Sequence, residues 1–198
     1  MSINDSAVPT VCRDANEVGF RVLDQFPEPE FAQLAAAAFS DFGTPSQQLA
    51  EVLSAEAAVC DGSSKLADPP TLRIGAFRDG RLIGWTLARA VAGNDLTMVN
   101  SGVAPGERRQ GIYARLVELT IKHATVRGYR SISSRHVPMH NGVIIAKLRL
   151  GFQVSGFEYS EVYGPLVCLR YLVSATRQQL YRVRAMPIVQ LAASADGA

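Results

Sequence analysis

The stretch VAPGERRQGIYARL, residues 103–116, places a Pro-Gly turn, several charged and polar side chains and a glycine directly before a helical pattern. The first amides of a helix have no partner within the helix and carry partial positive charge, so they bind phosphate readily. Arg108 and Arg109 add attraction for an anion, and Gly111 lets the backbone approach a ligand closely. Neither a Walker loop nor a GxGxxG fingerprint is present. The stretch predicts a pyrophosphate-binding turn, with a solvated arginine turn as the alternative.

His136 is the titratable residue whose position says most about acid–base chemistry. It ends the segment SSRHV, which is typical of a strand, and the unperturbed pKa of a histidine lies near neutrality. A neutral imidazole there could take a proton from an ammonium group, and a purely structural histidine is the alternative. Asn100 and Ser101 could instead order a water that relays the proton. Three further candidates for the base are weaker: His123, His140 and Glu161.

Local patterns in the first two thirds of the chain predict the elements that position these groups. Alanines and spaced apolar residues predict a helix over residues 28–43, and a proline opens a second helix over residues 45–58. The Asp-Gly pair at 79–80 predicts a hairpin turn between two strands, and a third strand covers residues 96–103. Helical spacing of apolar and polar residues then predicts an amphipathic helix over residues 111–127.

The rest of the sequence alternates between strand and helix patterns. Strands are predicted over residues 129–137, 153–163 and 166–173, and a short helix over residues 142–150. Glycine, serines and paired prolines make residues 60–70 a flexible loop that could cover a site. Helices, an antiparallel meander and then alternating strands and helices indicate a mixed α/β architecture.

Two motifs carry a resemblance to a known family. In VAPGERRQGIYARLVE, Arg108 and Gly111 are in register with the motif Q/R-x-x-G-x-G/A, and Tyr113 stands in place of the final small residue. In NGVIIAKLRLGF, Asn141 lies ten residues before a Gly-Phe pair. These segments are similar to two conserved blocks of the GNAT superfamily of acyl-CoA-dependent N-acyltransferases. The resemblance implies a single-domain α/β fold with a mixed, mostly antiparallel sheet, in which helices flank a splayed central strand pair.

The resemblance also implies a co-substrate and the residues that bind it. Acetyl-CoA or another acyl-CoA, with no metal, would lie where the third and fourth core strands splay apart, and Asn141 would hydrogen-bond it. The pantetheine arm would run along Ser101, Gly102 and Val103, whose N–H groups would hold the thioester carbonyl. The pyrophosphate would be held by the turn and the first helical amides, which comprise Arg108, Arg109, Gln110, Gly111, Ile112, Tyr113 and Ala114.

Lys147 marks a departure from the family pattern. Relatives usually carry a tyrosine, which acts as the acid, four residues before the Gly-Phe pair, and this sequence carries Lys147 there. A buried lysine with a lowered pKa could protonate the CoA thiolate, or Lys147 could pair with a CoA phosphate, which is the preferred interpretation. Tyr163 and Tyr171 are the alternative acids. The resemblance implies direct transfer of an acyl group to a primary amine through a tetrahedral intermediate, or an acyl-CoA sensor without turnover.

Composition narrows the function further. A chain of 198 residues that is 47% hydrophobic can form one globular core, and a net charge of +2 argues against a nucleic-acid or membrane partner. Three scattered cysteines indicate neither a disulfide framework nor a metal site, and no targeting or membrane segment is seen. We expect a cytoplasmic enzyme that acylates a small molecule, amino acid or peptide.

The expected domain organisation has three parts. Residues 1–16 form a flexible N-terminus, residues 17–173 form the GNAT-like acyltransferase domain, and residues 174–198 form a C-terminal extension. The extension alternates basic and apolar residues. It could add an edge strand or a helix at the contact of a homodimer, with a solvated flank as the alternative.

Overall fold

A seven-stranded mixed sheet and four helices make up the computed structural model, which describes residues 17–40 and 69–185. The strands are β1 (Gly19–Val22), β2 (Thr71–Arg78), β3 (Arg81–Val91), β4 (Asp95–Val103), β5 (Ser131–His136), β6 (Gln153–Ser160) and β7 (Gly164–Leu172). The helices are α1 (Glu30–Phe39), α2 (Ile112–Val126), α3 (Asn141–Arg149) and α4 (Ala175–Ala185). The strand order is β1-β2-β3-β4-β5-β7-β6, and only β4 and β5 pair in parallel among these strands. The predicted fold class is confirmed.

Most predicted elements within the described residues are present. The β2–β3 turn has Asp79 and Gly80 at φ angles of 50° and 81°, the left-handed conformation that a two-residue hairpin requires. Strand β1 was not predicted, because its four residues, which are mostly exposed, are too short a segment for hydrophobic periodicity to identify a strand. The beginning of the C-terminal extension forms α4. The predicted helix over 45–58 and most of the loop over 60–70 lie outside the described residues.

Apolar side chains cover both faces of the sheet. Leu82 packs in a cluster with α1, whereas its neighbour Ile83 packs in the larger cluster with α2, as expected because successive strand residues point to opposite faces. Helix α2 contributes Leu116 and Val117, which have no exposed surface. The two helices therefore fix β3 and β4 from opposite sides.

A gap opens between β4 and β5 beyond their first three residue pairs. The two strands pair only from Asp95 with Ser131 to Thr97 with Ser133. Directly after that, the pairing of β3 with β4 skips Val99, and such a bulge bends a strand and increases its twist. Strand β5 stays paired with β7 as far as His136. We call the space between residues 98–103 of β4 and residues 134–136 of β5 the β4–β5 gap.

A charged cluster closes the paired end of β4 and β5. The Asp95 carboxylate accepts hydrogen bonds from Arg130 Nε and Nη2, at 3.2 and 2.8 Å, and from the Ser131 hydroxyl at 3.0 Å. The hydrogen bond from Arg130 is the largest influence that holds the pKa of Asp95 below its usual value. The cluster therefore ties the start of β4 to the start of β5, opposite the end that opens.

Replacing Asp95 by asparagine should lower the free energy of unfolding by about 1–2 kcal/mol at pH 7. The effect stays modest because the Arg130 side chain is 44% exposed, so solvent screens the pair. A carboxylate with a lowered pKa contributes stability above its unfolded pKa of 3.8, and the contribution disappears as the pH falls through the folded value. Urea denaturation at pH 7 and pH 3 measures this. Glu118→Gln, in an exposed pair with Arg115, is the control, and an equal loss in both variants would contradict the assigned role.

Candidate active site

The turn before α2 has the backbone conformation of an anion-binding site. Arg109 and Gly111 have positive φ angles of 64° and 78°, while Gln110 between them does not. Gly111 is the N-cap residue of α2, and no side chain caps the first amides of the helix. The first helical hydrogen bond runs from the Arg115 N–H to the Gly111 carbonyl at 3.0 Å. The amides of residues 112–114 consequently lack a partner within the helix. A positive φ angle on alternate residues before free amides is typical of phosphate-binding backbone nests.

Side chains brace this turn against the neighbouring elements. Gln110 accepts a hydrogen bond from Arg78 Nη2 at 2.8 Å and donates one to Glu107 at 3.2 Å, and Arg78 and Glu107 form an ion pair. Arg108 donates to the Ala38 carbonyl of α1 at 3.0 Å. It also approaches the Val103 carbonyl at 3.4 Å. Arg108 and Gln110 therefore hold the turn in place with their side chains.

Strand β4 presents free amides to the β4–β5 gap. The Ala104 N–H donates to the Ile83 carbonyl of β3 at 2.8 Å. Since successive amides of a strand point in opposite directions, the N–H groups of Ser101 and Val103 point away from β3, towards the gap. Strand β5 does not pair with β4 at these residues. This edge of β4 can therefore bind an extended ligand through the same N–H groups that would pair with an additional strand.

Gly102 and Asn100 pack β4 against Trp85 of β3. A Cβ atom on Gly102 would lie 2.4 Å from the Trp85 ring, so a glycine is required there. Trp85 has no exposed surface, meets Phe31 and Phe39 edge to face, and donates its indole N–H to the Asn100 side-chain oxygen at 2.8 Å. The side-chain oxygen of Asn100 thus has a structural role, and only the side-chain NH2 group of Asn100 is left to order a water.

Lys147 lies buried beside the closed end of the gap. Its ammonium is 3.3 Å from the Met98 sulfur and 5.2 Å from the centre of the Phe152 ring, and the residue is 1% exposed. Met98 is the first residue of β4 after the last pair with β5. Burial lowers the pKa of Lys147 to about 7, so ammonium and amine are both populated at neutral pH.

His136 does not have the near-neutral pKa that the sequence analysis expects. Burial first, and then the charges of Lys147 and His140, lower its pKa to about 3. Its ring nitrogen Nε2 lies 3.0 Å from the Ser134 hydroxyl. The imidazole is neutral at pH 7, as expected, but it is a much weaker base than an ordinary histidine.

The sequence of this chain matches the model of the acetyltransferase (GNAT) family over residues 29–152, more than half of its length. The chain belongs to this family. The matched residues include α2 and α3, the β4–β5 gap, and every residue that the resemblance assigns to co-substrate binding. A search among curated proteins gives no match.

Solved structures of acetyltransferases share the fold of this GNAT protein at low sequence identity. The ribosomal-protein-S18-alanine N-acetyltransferase of Escherichia coli aligns with a TM-score of 0.60 at 15% identity, over 80% of this chain and 95% of that one. The IAA acetyltransferase of Bacillus cereus gives 0.55 at 13% identity, over 79% and 99%. The phosphinothricin acetyltransferase of Sinorhizobium meliloti, in complex with AcCoA, gives 0.53 at 15% identity, over 77% and 88%.

The family match confirms the predicted resemblance and the prediction that this GNAT protein is an acyltransferase enzyme. Within residues 17–40 and 69–185, no cluster of histidine, cysteine or carboxylate side chains could hold a metal ion. No helix in the same part of the chain is long and apolar enough to cross a membrane.

The other candidate residues lie at different distances from the gap. Asn141 is the exposed first residue of α3. Tyr171 packs on Phe152 with ring centres 5.5 Å apart, whereas Glu161 and Tyr163 lie in the exposed β6–β7 turn. His123 is part of α2, away from its N-terminus. Sequence reasoning missed the contacts of Met98 and Phe152 with Lys147, because their residue types give only a signal of a buried core.

Proposed function

We propose that this GNAT enzyme transfers an acetyl group from acetyl-CoA to the primary amine of a small molecule, amino acid or peptide. The observation that carries the proposal is the junction of the β4–β5 gap with the turn before α2. A free strand edge leads directly into a phosphate-binding backbone, as an extended pantetheine arm that ends in a pyrophosphate requires. The Sinorhizobium meliloti structure of the same fold, which contains AcCoA, supports this choice of co-substrate.

Different backbone groups act on different parts of the co-substrate in this proposal. The amides of residues 112–114, with the exposed Arg109 side chain, hold the pyrophosphate. The Ser101 and Val103 amides bind the pantetheine arm and stabilise negative charge on the thioester oxygen. Asn141 donates to the co-substrate from the start of α3. When bound, acetyl-CoA supplies an activated thioester that an amine can attack without a covalent enzyme intermediate.

Loss of the proton from the acceptor ammonium requires a base near the gap. His136 is neutral, but its pKa of about 3 makes it a poor store for a proton at neutral pH. We therefore assign His136 to hold a water or the acceptor amine, and the proton passes through water. The amide group of Asn100 is the second residue proposed to order that water.

The organisation expected from the sequence is part of the same proposal. Residues 17–173 form the acyltransferase domain and residues 174–198 an extension, in a cytoplasmic protein that could form a homodimer. The proposed reaction uses no metal and involves no nucleic-acid or membrane partner.

Turnover of acetyl-CoA across a panel of primary amines tests the function. The panel comprises amino acids, small metabolite amines and peptides with free N-termini, and release of the CoA thiol reports transfer. We expect at least one amine to give thiol release together with a product that carries one acetyl group. Binding of acetyl-CoA without turnover on any member would favour the sensor function instead.

Replacing Arg109 by alanine should weaken CoA binding by about tenfold to a hundredfold, because a charge-assisted hydrogen bond to phosphate is lost. Calorimetric titration with CoA measures the dissociation constant. Arg115→Ala is the matched control, since it removes an exposed arginine of α2 that pairs with Glu118. Equal weakening in both variants, or a loss that vanishes at moderate salt, would reduce the role of Arg109 to diffuse attraction.

A further inference from the structure

Lys147 is a buried cation for which the described part of the chain supplies no anionic partner. Its ammonium contacts the Met98 sulfur and the face of Phe152, and it forms no ion pair with a carboxylate of residues 17–40 or 69–185. Burying a charge without a counter-ion costs stability, and methionine would fill similar space without that cost. Packing alone therefore does not account for a lysine at this position.

The described groups that contact or act electrostatically near Lys147 are neutral or potentially cationic. Strand β4 supplies the Met98 sulfur, and β5 supplies His136, which interacts electrostatically with Lys147. The charge of His140, which precedes α3, also lowers the pKa of His136. The Phe152 ring contacts Lys147 and also packs against Tyr171 of β7. An anion that forms in this part of the gap is therefore attracted to Lys147.

The location of Lys147 distinguishes between the two roles considered from the sequence. It contacts Met98, whereas the phosphate-binding turn follows the other end of β4 at Val103. Five residues of strand separate these points, which corresponds to roughly 15 Å. Lys147 therefore lies too far from the turn to pair with a phosphate held there, and it lies where the sulfur end of an extended pantetheine arm would reach.

We propose that Lys147 is the catalytic acid that protonates the sulfur of coenzyme A as the carbon–sulfur bond breaks. This inference rests on the proposed function. The acceptor nitrogen has by then bonded to the acyl carbon, and the electron pair of the breaking bond goes to sulfur. Lys147 gives one ammonium proton to that sulfur, which leaves a neutral thiol and a neutral amine. The amine regains a proton from water before the next turnover.

The direction of proton transfer agrees with the setting of the lysine. A thiol has an ordinary pKa of about 8.5, so its thiolate is a stronger base than an amine whose pKa is about 7. Transfer from Lys147 to sulfur is therefore favourable, whereas an unburied lysine with its ordinary pKa would hold its proton more tightly than the thiol. Burial thus converts a poor acid into an effective one at neutral pH.

Kinetics of three variants give the first part of the test, with an amine identified by the panel. Lys147→Met should lower kcat by about 10² to 10⁴ with little change in the KM for acetyl-CoA. The wild-type rate should fall as the pH rises through about 7, because the ammonium form is lost, and Lys147→Met should lack this decrease. Lys147→Tyr should recover part of kcat, with the decrease moved towards pH 10. Lys122→Met, on the exposed face of α2, should behave as wild type.

Carbon NMR of the lysine side chains provides a readout that does not depend on turnover. The chain has only three lysines, Lys65, Lys122 and Lys147, so selective labelling of the ε-carbons gives resonances that the two methionine variants assign. The Lys147 signal should titrate near pH 7 in the free protein. Bound CoA should raise that midpoint by about one pH unit or more, because a thiolate beside Lys147 favours the ammonium. Bound desulfo-CoA, which lacks the sulfur, should not.

The outcomes separate this inference from the proposed function. If CoA and desulfo-CoA both bind but move the Lys147 midpoint equally, or if Lys147→Met keeps its kcat and its pH profile, the acid role is wrong while the co-substrate site stands. Acetylation of Lys147 detected by intact mass would also overturn the inference, because the amine would then be a nucleophile. If neither CoA nor desulfo-CoA binds, the proposed function itself fails.

Discussion

Lys147→Met should raise the free energy of unfolding at pH 7 by several kcal/mol. A lysine whose pKa falls from 10.5 in the unfolded chain to about 7 in the folded protein destabilises the fold by up to roughly 5 kcal/mol. The sign follows from proton binding, since the unfolded chain holds the proton more tightly. The penalty is absent above pH 10.5, grows as the pH falls, and is complete below about pH 7. Methionine preserves the length and the contact with the Phe152 ring without the charge.

Urea denaturation of both proteins from pH 6 to pH 10 measures this effect. The difference between wild type and Lys147→Met should shrink steadily above pH 7 and approach zero near pH 10.5. Lys122→Met serves as the control, because Lys122 is exposed on α2 and should leave the curve unchanged. A variant that is less stable than wild type at pH 7, with no dependence on pH, would show that the lysine has an anionic partner.

Gly102→Ala should reduce kcat/KM by about 10²-fold and lower the free energy of unfolding by about 1–3 kcal/mol. The new Cβ would lie 2.4 and 2.6 Å from two carbons of the Trp85 ring, well inside van der Waals contact. Trp85 has little freedom to move, since it is fully buried, packed between phenylalanine rings and hydrogen-bonded to Asn100. Strand β4 must therefore shift, and the Ser101 and Val103 amides shift with it.

Gly106→Ala is the matched control for this substitution. Gly106 lies in the turn after β4, its φ angle is not positive, and a Cβ there would meet no atom within 4 Å. Steady-state kinetics and urea denaturation compare the two variants, and the fluorescence of Trp85, the only tryptophan, reports its surroundings. Wild-type activity in a folded Gly102→Ala protein would contradict the dependence of the site on the fit of β4 against Trp85.

Local sequence signals predicted the β2–β3 hairpin turn and helix α2, whose N-terminus forms the phosphate-binding end of the site. The Asp79-Gly80 hairpin and the amphipathic α2 depend on residue types a few positions apart, so one sequence suffices to find them. The bulge at Val99 has no such signal. It depends on how β4 pairs with β3 after leaving β5, which is a property of the sheet and not of any short segment.

The chemistry of the site depended on contacts between distant parts of the chain. Lys147 and Met98 are 49 positions apart, yet they are in contact, and Lys147 is almost fully buried. Burial of His136 first, and then the charge of Lys147, moves the pKa of His136 far below its ordinary value. Sequence reasoning could name both residues from their spacing and from the resemblance, but their proton affinities follow from tertiary burial.

Amide chemical-shift mapping with CoA tests most directly whether the β4–β5 gap and the turn before α2 form one co-substrate site. The account predicts saturable shifts that centre on the amides of Ser101 and Val103, on residues 109–114 and on Asn141. Desulfo-CoA should reproduce the shifts at the turn, since it carries the same pyrophosphate. Absence of binding, or shifts confined to another surface with residues 101–114 unchanged, would contradict the account.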